Sequence, residues 1–329
     1  MPEDPLSTFR GARVLITGGL GFIGSNLARA LSGAGARVHL VDCLVPSHGG
    51  SLFNIEGLTD HVDVTLRDLR DGDVITDLLR AAQFVFNLAG QRSHWDSMTD
   101  PQMDLDINCS AQLHLLENIR RTNPRVKVVF ASTRQVYGIP KYLPVDEDHP
   151  TRPVDINGIH KVASECYHSL YARVHGLPCT ILRLTNTIGP RMRIKDARQT
   201  FAGLWTRQAI EGQPFEIWGG TQVRDFNFVD DVVDALLRAA VSELSRGKIY
   251  NLGAAPTTLL ELADIVRDIT GCDYVVKAFP EARKPTDIGD YYANFNRIRV
   301  DLGWEPRTSL REAIMRTIEY YKKHLHRYV

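Results

Sequence analysis

The residues best equipped for chemistry come early, in Gly18-Gly19-Leu20-Gly21-Phe22-Ile23-Gly24, directly after the apolar run Val14-Leu15-Ile16. A strand that enters a Gly-x-Gly-x-x-Gly turn and leaves as a helix, here from about Phe22 to Leu31, gathers free backbone N–H groups at the positive end of the helix dipole. The chemistry this suits is the grip of a pyrophosphate. Gly19 lets the chain turn, Gly21 lets backbone approach the phosphates, Phe22 and Ile23 stand at the helix start, and Gly24 lets helix and strand pack closely. A second strand, Arg37 to Val41, ends at Asp42. That is about 20 residues past the loop, where a carboxylate accepts from an adenosine ribose and repels a 2′-phosphate. The predicted cofactor is therefore NAD rather than NADP.

Positioning such a loop requires a sheet, and the chain supplies the rhythm for one. Val62 to Thr65 reads as a strand, Asp73 to Ala81 as a helix, Phe84 to Leu88 as a strand and Pro101 to Arg121 as a long amphipathic helix. The strand Val126 to Ala131, a helix from Asp155 to Val174 and the strand Cys179 to Leu184 follow. Alternation of this kind predicts an α/β fold, a Rossmann-type doubly wound parallel sheet whose ligand lies beyond the carboxyl ends of the strands. From about Thr185 shorter elements interrupted by proline predict a smaller mixed α/β portion, with helices near Ala197 to Glu211, Asp230 to Ala240, Leu259 to Thr270 and Ser309 to Leu325. The expected division is a cofactor-binding domain over 1–184 and a substrate-binding portion over 185–329, with some later elements returning to the sheet and a cleft between the two.

Composition narrows the partner. Of 329 residues, 39 are basic and 39 acidic, so no net field favours nucleic acid or a membrane surface, and a small ligand is expected. The five cysteines contain no C-x-x-C pair, which fits reduced thiols in a cytoplasm rather than a disulfide framework or a zinc site. The N-terminus lacks a signal pattern, and no apolar run approaches the ~18 residues of a membrane span.

Later motifs carry a resemblance. Asp68-Leu69-Arg70-Asp71, Asn87-Leu88-Ala89-Gly90, Ala131-Ser132-Thr133-Arg134-Gln135-Val136-Tyr137-Gly138, Arg183-Leu184-Thr185-Asn186 and Arg224-Asp225-Phe226 follow the glycine loop in this order. From Arg13 to the last helix the chain resembles the extended short-chain dehydrogenase/reductases, specifically the NAD-dependent nucleotide-sugar epimerases and dehydratases. The resemblance implies that Asp68 and Leu69 lie at the adenine and that Leu88, Ala89 and Gly90 line the cofactor. Asn108 matches a helix asparagine that is usually structural. Thr133 matches a catalytic hydroxyl, able to donate to a sugar oxygen and accept from a second group. Asn186, Arg224, Arg283, Lys284 and Asp287 stand where the family holds the substrate's nucleotide diphosphate, for which an arginine fork is well shaped.

One departure matters. The family's centre carries Y-x-x-x-K, a phenol and an ammonium one helical turn apart, and the matching stretch here reads Asn157-Gly158-Ile159-His160-Lys161. Lys161 is kept, for the nicotinamide ribose, while Asn157 has no useful basicity. Losing a general base is worth ~10²–10⁴ in rate. Tyr137-Gly138-Ile139-Pro140-Lys141 satisfies the pattern only as text, because Pro140 breaks the helix that it requires. His94, in a loop at a strand's carboxyl end, is the better replacement, since imidazole titrates near neutrality. His160, three residues from Asn157, is a weaker one. No acidic pair follows Thr133, which tells against 4,6-dehydration and weakens a decarboxylase reading.

The expectation is an NAD-dependent nucleotide-sugar epimerase, working at C4 by transient oxidation, with Thr133, Lys161, Asn157 and His94 at the reacting end. The alternatives are a dehydratase or reductase on the same scaffold, or a non-catalytic binder of NAD and a nucleotide sugar. The resemblance also implies a homodimer through helices 101–121 and 155–174. Leu113, Leu116, Val162 and Tyr167 are compatible with burial there or within one chain.

Overall fold

Val14, Leu15 and Ile16 are all buried, as are Val85, Phe86 and the run Val128-Val129-Phe130. Strands that are apolar on both faces belong inside a parallel sheet covered on both sides. The computed structural model describes residues 4–45, 49–58, 61–71, 75–197 and 200–329, with the side chains of residues 282, 283 and 285 not described. In it β1 (Arg13–Thr17), β2 (Arg37–Asp42), β3 (Val62–Leu66), β4 (Phe84–Asn87), β5 (Lys127–Thr133) and β6 (Cys179–Leu184) pair in parallel. Three short strands follow, β7 (Asn186–Ile188), β8 (Phe215–Trp218) and β9 (Val223–Arg224), then β10 (Phe226–Phe228) and β11 (Ile249–Asn251). β11 closes the sheet, whose order is β11-β6-β5-β4-β1-β2-β3. The direction of winding reverses between β1 and β4, so the chain leaving those two strands diverges and opens a crevice at their carboxyl ends.

Helices α1 (Phe22–Gly33), α2 (Thr76–Ala81), α3 (His94–Thr99), α4 (Pro101–Leu105), α5 (Ala111–Thr122) and α6 (Ile156–His175) connect the first six strands, three of them between β4 and β5, while a short 3-10 turn serves between β2 and β3. Four changes to the expected boundaries have local causes. The helix predicted over 101–121 is broken by a π-turn at Asp106–Ser110, which presents Asn108 to Gln91 and to Ser164: Asn108 Nδ2 donates to Gln91 O at 3.0 Å and its carbonyl accepts from Ser164 Oγ. α2 starts at Thr76, and the predicted start at Asp73 lies outside the described residues. α6 begins one residue after Asp155, whose carboxylate caps it by accepting from Gly158 N at 2.7 Å, and ends at Gly176 with φ of 70°. α7 (Phe201–Ile210) is shorter than predicted because Thr200 caps it.

The later chain adds α8 (Val229–Val241), α9 (Leu259–Thr270), α10 (Asn296–Leu302) and α11 (Leu310–His324), with β12 (Thr257–Thr258) and β13 (Tyr274–Lys277). α8 packs with α1 on one face of the sheet, around Leu27, Val232 and Leu236, while α5 and α6 cover the other. A separate apolar cluster around Trp205, Phe215 and Leu262 joins α7, α9 and α11 to the β8–β13 pair. Of the four residues compatible with burial at an interface or within one chain, each makes contacts inside the chain. Leu116 is fully buried, and Leu113, Tyr167 and Val162 pack against interior clusters. The apolar side chains that α6 leaves outward are Ile159, Leu170 and Val174. No helix among the described residues is long and apolar enough to cross a membrane.

Candidate active site

The end of β1 is tied to the end of β4 through Thr17, whose Oγ1 donates to Asn87 Oδ1 at 2.9 Å and accepts from Ala89 N at 3.2 Å. This closeness is what excludes side chains from the loop. Gly18 has φ of +67°, and a Cβ there would lie 2.9 Å from Leu88 O; one on Gly24 would lie 2.3 Å from Gly18 O. No side chain caps the start of α1, where Gly21 stands at the N-cap, so the helix faces the crevice with its first N–H groups open. An uncapped, glycine-lined helix start fits a dinucleotide's pyrophosphate. Gly18, Gly21, Phe22, Ile23, Gly24, Asp42, Asp68, Leu69, Leu88, Ala89 and Gly90 all line this crevice.

The two acids there are anchored before any ligand arrives. Asp42 accepts from Leu20 N at 3.0 Å on Oδ2 and from Leu44 N at 2.9 Å on Oδ1, which fixes the carboxylate while leaving lone pairs for a ribose. Asp68 grips Arg70 at 2.6 Å, and that hydrogen bond holds its carboxyl below the ordinary range.

At the other end of the crevice stand Thr133, Asn157, Lys161, His94 and Asn186. β5 delivers Thr133, and Ser132 beneath it donates to Glu165 at 2.5 Å within a buried Glu165–Arg183 pair. The Thr133 hydroxyl accepts from Gln135 N at 3.3 Å, capping the turn Arg134–Tyr137. Lys161 Nζ donates to Ala131 O at 3.3 Å and lies 4.9 Å from the Phe130 ring centroid; burial pulls its pKa down to about 8. Gly90 leaves it room, since a Cβ there would stand 3.0 Å from Nζ and 2.9 Å from Asn108 Oδ1.

Asn157 is turned inward. Its Nδ2 donates to Gln91 O at 2.9 Å and Asp104 Oδ2 at 3.0 Å, with Gln91 Oε1 at 3.3 Å, so its two N–H groups are committed and only its carbonyl oxygen is left to meet a ligand. Asp104 also receives His160 Nδ1 at 2.7 Å, and His160 is not among the crevice's lining. His94 is held from both sides: Nδ1 faces Asp155 and Nε2 faces the Gln135 amide. The carboxyl of Asp155, which burial alone would push up, is held below the usual range by His94, by Gly158 N–H and by Arg134. The pairing sets a tautomer, with Nδ1–H on the carboxylate and the Nε2 lone pair on the amide.

Among the described residues no tyrosine lines the crevice. Tyr137 is buried elsewhere, donating to Asn251 Oδ1 at 2.6 Å and accepting from Arg183 at 2.7 Å, with its pKa pushed up to about 12 by burial. Neither Arg224 nor Lys284 is part of the crevice wall. Arg224 is turned to Val223 O at 2.9 Å and to Gly289 O, with Nη2 3.6 Å from Asp287. Lys284 pairs with Glu281 at 2.6 Å, and the Arg283 side chain lies outside the described residues. Several neighbours were not singled out from sequence: Gln91, Arg92, Asp104 and Asp155. Only Asp155 had a legible signal, as an acidic residue one position before a helix.

A parallel sheet that reverses at β1 and β4, with an open helix start and a buried lysine on one crevice, defines a dinucleotide-binding oxidoreductase scaffold. The family model for the NAD dependent epimerase/dehydratase family matches residues 14–253. The chain is 32% identical to a UDP-glucose 4-epimerase of Mycolicibacterium smegmatis over 94% of its length and 98% of the relative's. It is 30% identical to UDP-glucuronic acid decarboxylase 1 of Danio rerio, over 98% and 76%. The crystal structure of a UDP-glucose 4-epimerase from Thermotoga maritima with UDP-glucose matches with a TM-score of 0.87 at 31% identity, covering 95% of this chain and 99% of that one. The chain belongs to the NAD-dependent epimerase/dehydratase family, within the extended short-chain dehydrogenase/reductases. It is an NAD-dependent enzyme.

Proposed function

We propose that the protein is a nucleotide-sugar epimerase that inverts a ring carbon, C4, through transient oxidation. The observation that carries this reading is the meeting of Thr133, His94, Asn157 and Lys161 with the glycine loop in a single crevice. NAD held at the glycine loop would supply reversible hydride acceptance. Lys161 holds the nicotinamide ribose and Thr133 orients the reacting oxygen. His94 takes the hydroxyl proton on Nε2 once the substrate displaces the Gln135 amide, and Asp155 stabilises the imidazolium that forms. Asn157 contributes an acceptor through its carbonyl oxygen. Arg224 and Asp287, with Arg283 and Lys284, are assigned to the nucleotide diphosphate, and reach it by turning Arg224 from Gly289. The division at residue 184 and a reducing, cytoplasmic setting for the five free thiols belong to the same reading. So does a homodimer through helices 101–121 and 155–174, a reading that the exposed α6 residues Ile159, Leu170 and Val174 support. Sedimentation as a monomer would remove the dimer.

The test is incubation of the purified protein with UDP-, dTDP-, GDP-, ADP- and CDP-sugars. The expected outcome is a 4-epimer with transient NADH absorbance, and silence with every sugar would sink the proposal. The second reading, a binder without chemistry, is favoured by one observation: the Asn157 amide is committed to Gln91 and Asp104. Asn157→Tyr separates the two. A large gain in turnover marks a decayed site, and a loss marks a working one.

A further inference from the structure

Arg134 follows Thr133 and lines the same crevice. Among the described residues its Nη1, shut off from solvent, has no hydrogen-bond partner, and Nη2 makes a long 3.4 Å contact with Asn186 Oδ1. The guanidinium lies over the Tyr291 ring, 5.2 Å from its centroid. Burial lowers its pKa, opposed by Tyr291, Asp225, Asp155 and Asp287, yet those acids are engaged elsewhere. Asp155 holds His94 and Gly158 N, Asp225 holds Thr185 and Ala293 N, and Asp287 faces Arg224. An arginine does not discharge itself, so a buried guanidinium without a counter-ion is a cost that an anionic ligand group removes. The next side chain adds an acceptor: Gln135 Oε1 is also buried and unpartnered. A donor fork beside an open acceptor complements a carboxylate beside a hydroxyl.

A nucleotide sugar offers two anions, its diphosphate and any acid on the ring. Arg134 directly follows the hydroxyl assigned to the reacting oxygen and feels the charge of Asp155, which fixes His94, while its Nη2 touches Asn186, so the fork stands between the reacting end and the diphosphate end, where the sugar ring would lie. We propose that Arg134 is a specificity-determining residue that selects a nucleotide sugar whose hexose carries a carboxylate, received bidentately by the guanidinium with Gln135 Oε1 accepting from a neighbouring hydroxyl. This rests on the nucleotide-sugar reading above.

Calorimetry with UDP, UDP-glucose and UDP-glucuronate, on the NAD-loaded wild type, Arg134→Gln and Arg134→Lys, tests it. The wild type is expected to hold UDP-glucuronate about 10- to 100-fold more tightly than UDP-glucose. Arg134→Gln brings the two sugars to parity and leaves UDP unchanged, while Arg134→Lys keeps part of the preference because it keeps charge without the fork. Equal affinity for both sugars in the wild type overturns the proposal. So does an Arg134→Gln variant that weakens UDP as much as UDP-glucuronate, since the fork then grips the diphosphate. Thermal unfolding and retained NAD establish that each variant is folded; if the glutamine variant is not, the wild-type preference and the lysine variant decide. Failure of all three compounds to bind the wild type removes the nucleotide-sugar reading and this inference together.

Discussion

At the scale of the residue, the base proposed in place of the missing phenol comes from a different part of the chain. His94 comes from the loop after β4, and Asp155 and Gln135 fix it from two other segments. Asp155 has two duties, since the same carboxylate caps α6. Asparagine caps helices about as well as aspartate, so Asp155→Asn keeps the fold while removing the charge that stabilises a protonated imidazole. We expect Asp155→Asn and His94→Gln each to lower turnover by about 10²–10⁴, and the double variant to be little worse than His94→Gln alone. Additive losses in that cycle would show that the two do not act as one unit.

At the scale of the element, the crevice depends on how closely α1 approaches β1 and β4. Gly24→Ala places a methyl 2.3 Å from Gly18 O and 2.9 Å from Gly19 Cα, and backbone cannot step aside as a side chain can. Overpacking of this kind costs about 1–3 kcal/mol and here falls on the loop rather than the sheet. The expected result is NAD affinity lower by about 10-fold or more with the far-ultraviolet circular dichroism unchanged. Unaltered NAD binding would mean that the loop is softer than its contacts indicate.

At the scale of the whole molecule, two buried titratable groups with opposite shifts bear on the acid response. His168 is fully buried, stacked on Phe130 at 4.1 Å, with Nδ1 2.8 Å from Ser164 O, and burial lowers its pKa to about 4. Asp225 is buried with its carboxyl raised to about 6 by desolvation. The signs oppose. Between about pH 4 and 6.5 the unfolded chain binds a proton at His168 that the fold does not, so this term adds stability as pH rises. Asp225 binds its proton in the fold over much of the same range and removes stability as pH rises. His168→Phe should therefore turn a shallow pH dependence of the urea midpoint into one that falls from pH 4 to 6, by no more than about 3 kcal/mol. An unchanged profile would show that His168 is not as buried in solution as the packing implies.

Much of this was legible in the sequence, and the reason is local chemistry. The glycine loop, the alternation of strand and helix, the acid after β2 and the order of motifs are written in neighbouring residues, because turns, periodicities and helix starts are decided by φ, by a missing Cβ and by spacing. The rejection of Tyr137 was also legible, since a proline forbids the helix the pattern needs, and the fold places that phenol in the interior. What only the tertiary structure decided were contacts between distant segments. Asn157 faces Asp104 and Gln91, His94 is clamped by Asp155 and Gln135, Arg134 Nη1 is buried with no hydrogen-bond partner among the described residues, and β11 is the later strand that joins the sheet. Such pairings depend on which strand ends converge and on what burial does to a charge, and neither quantity belongs to any single stretch of chain.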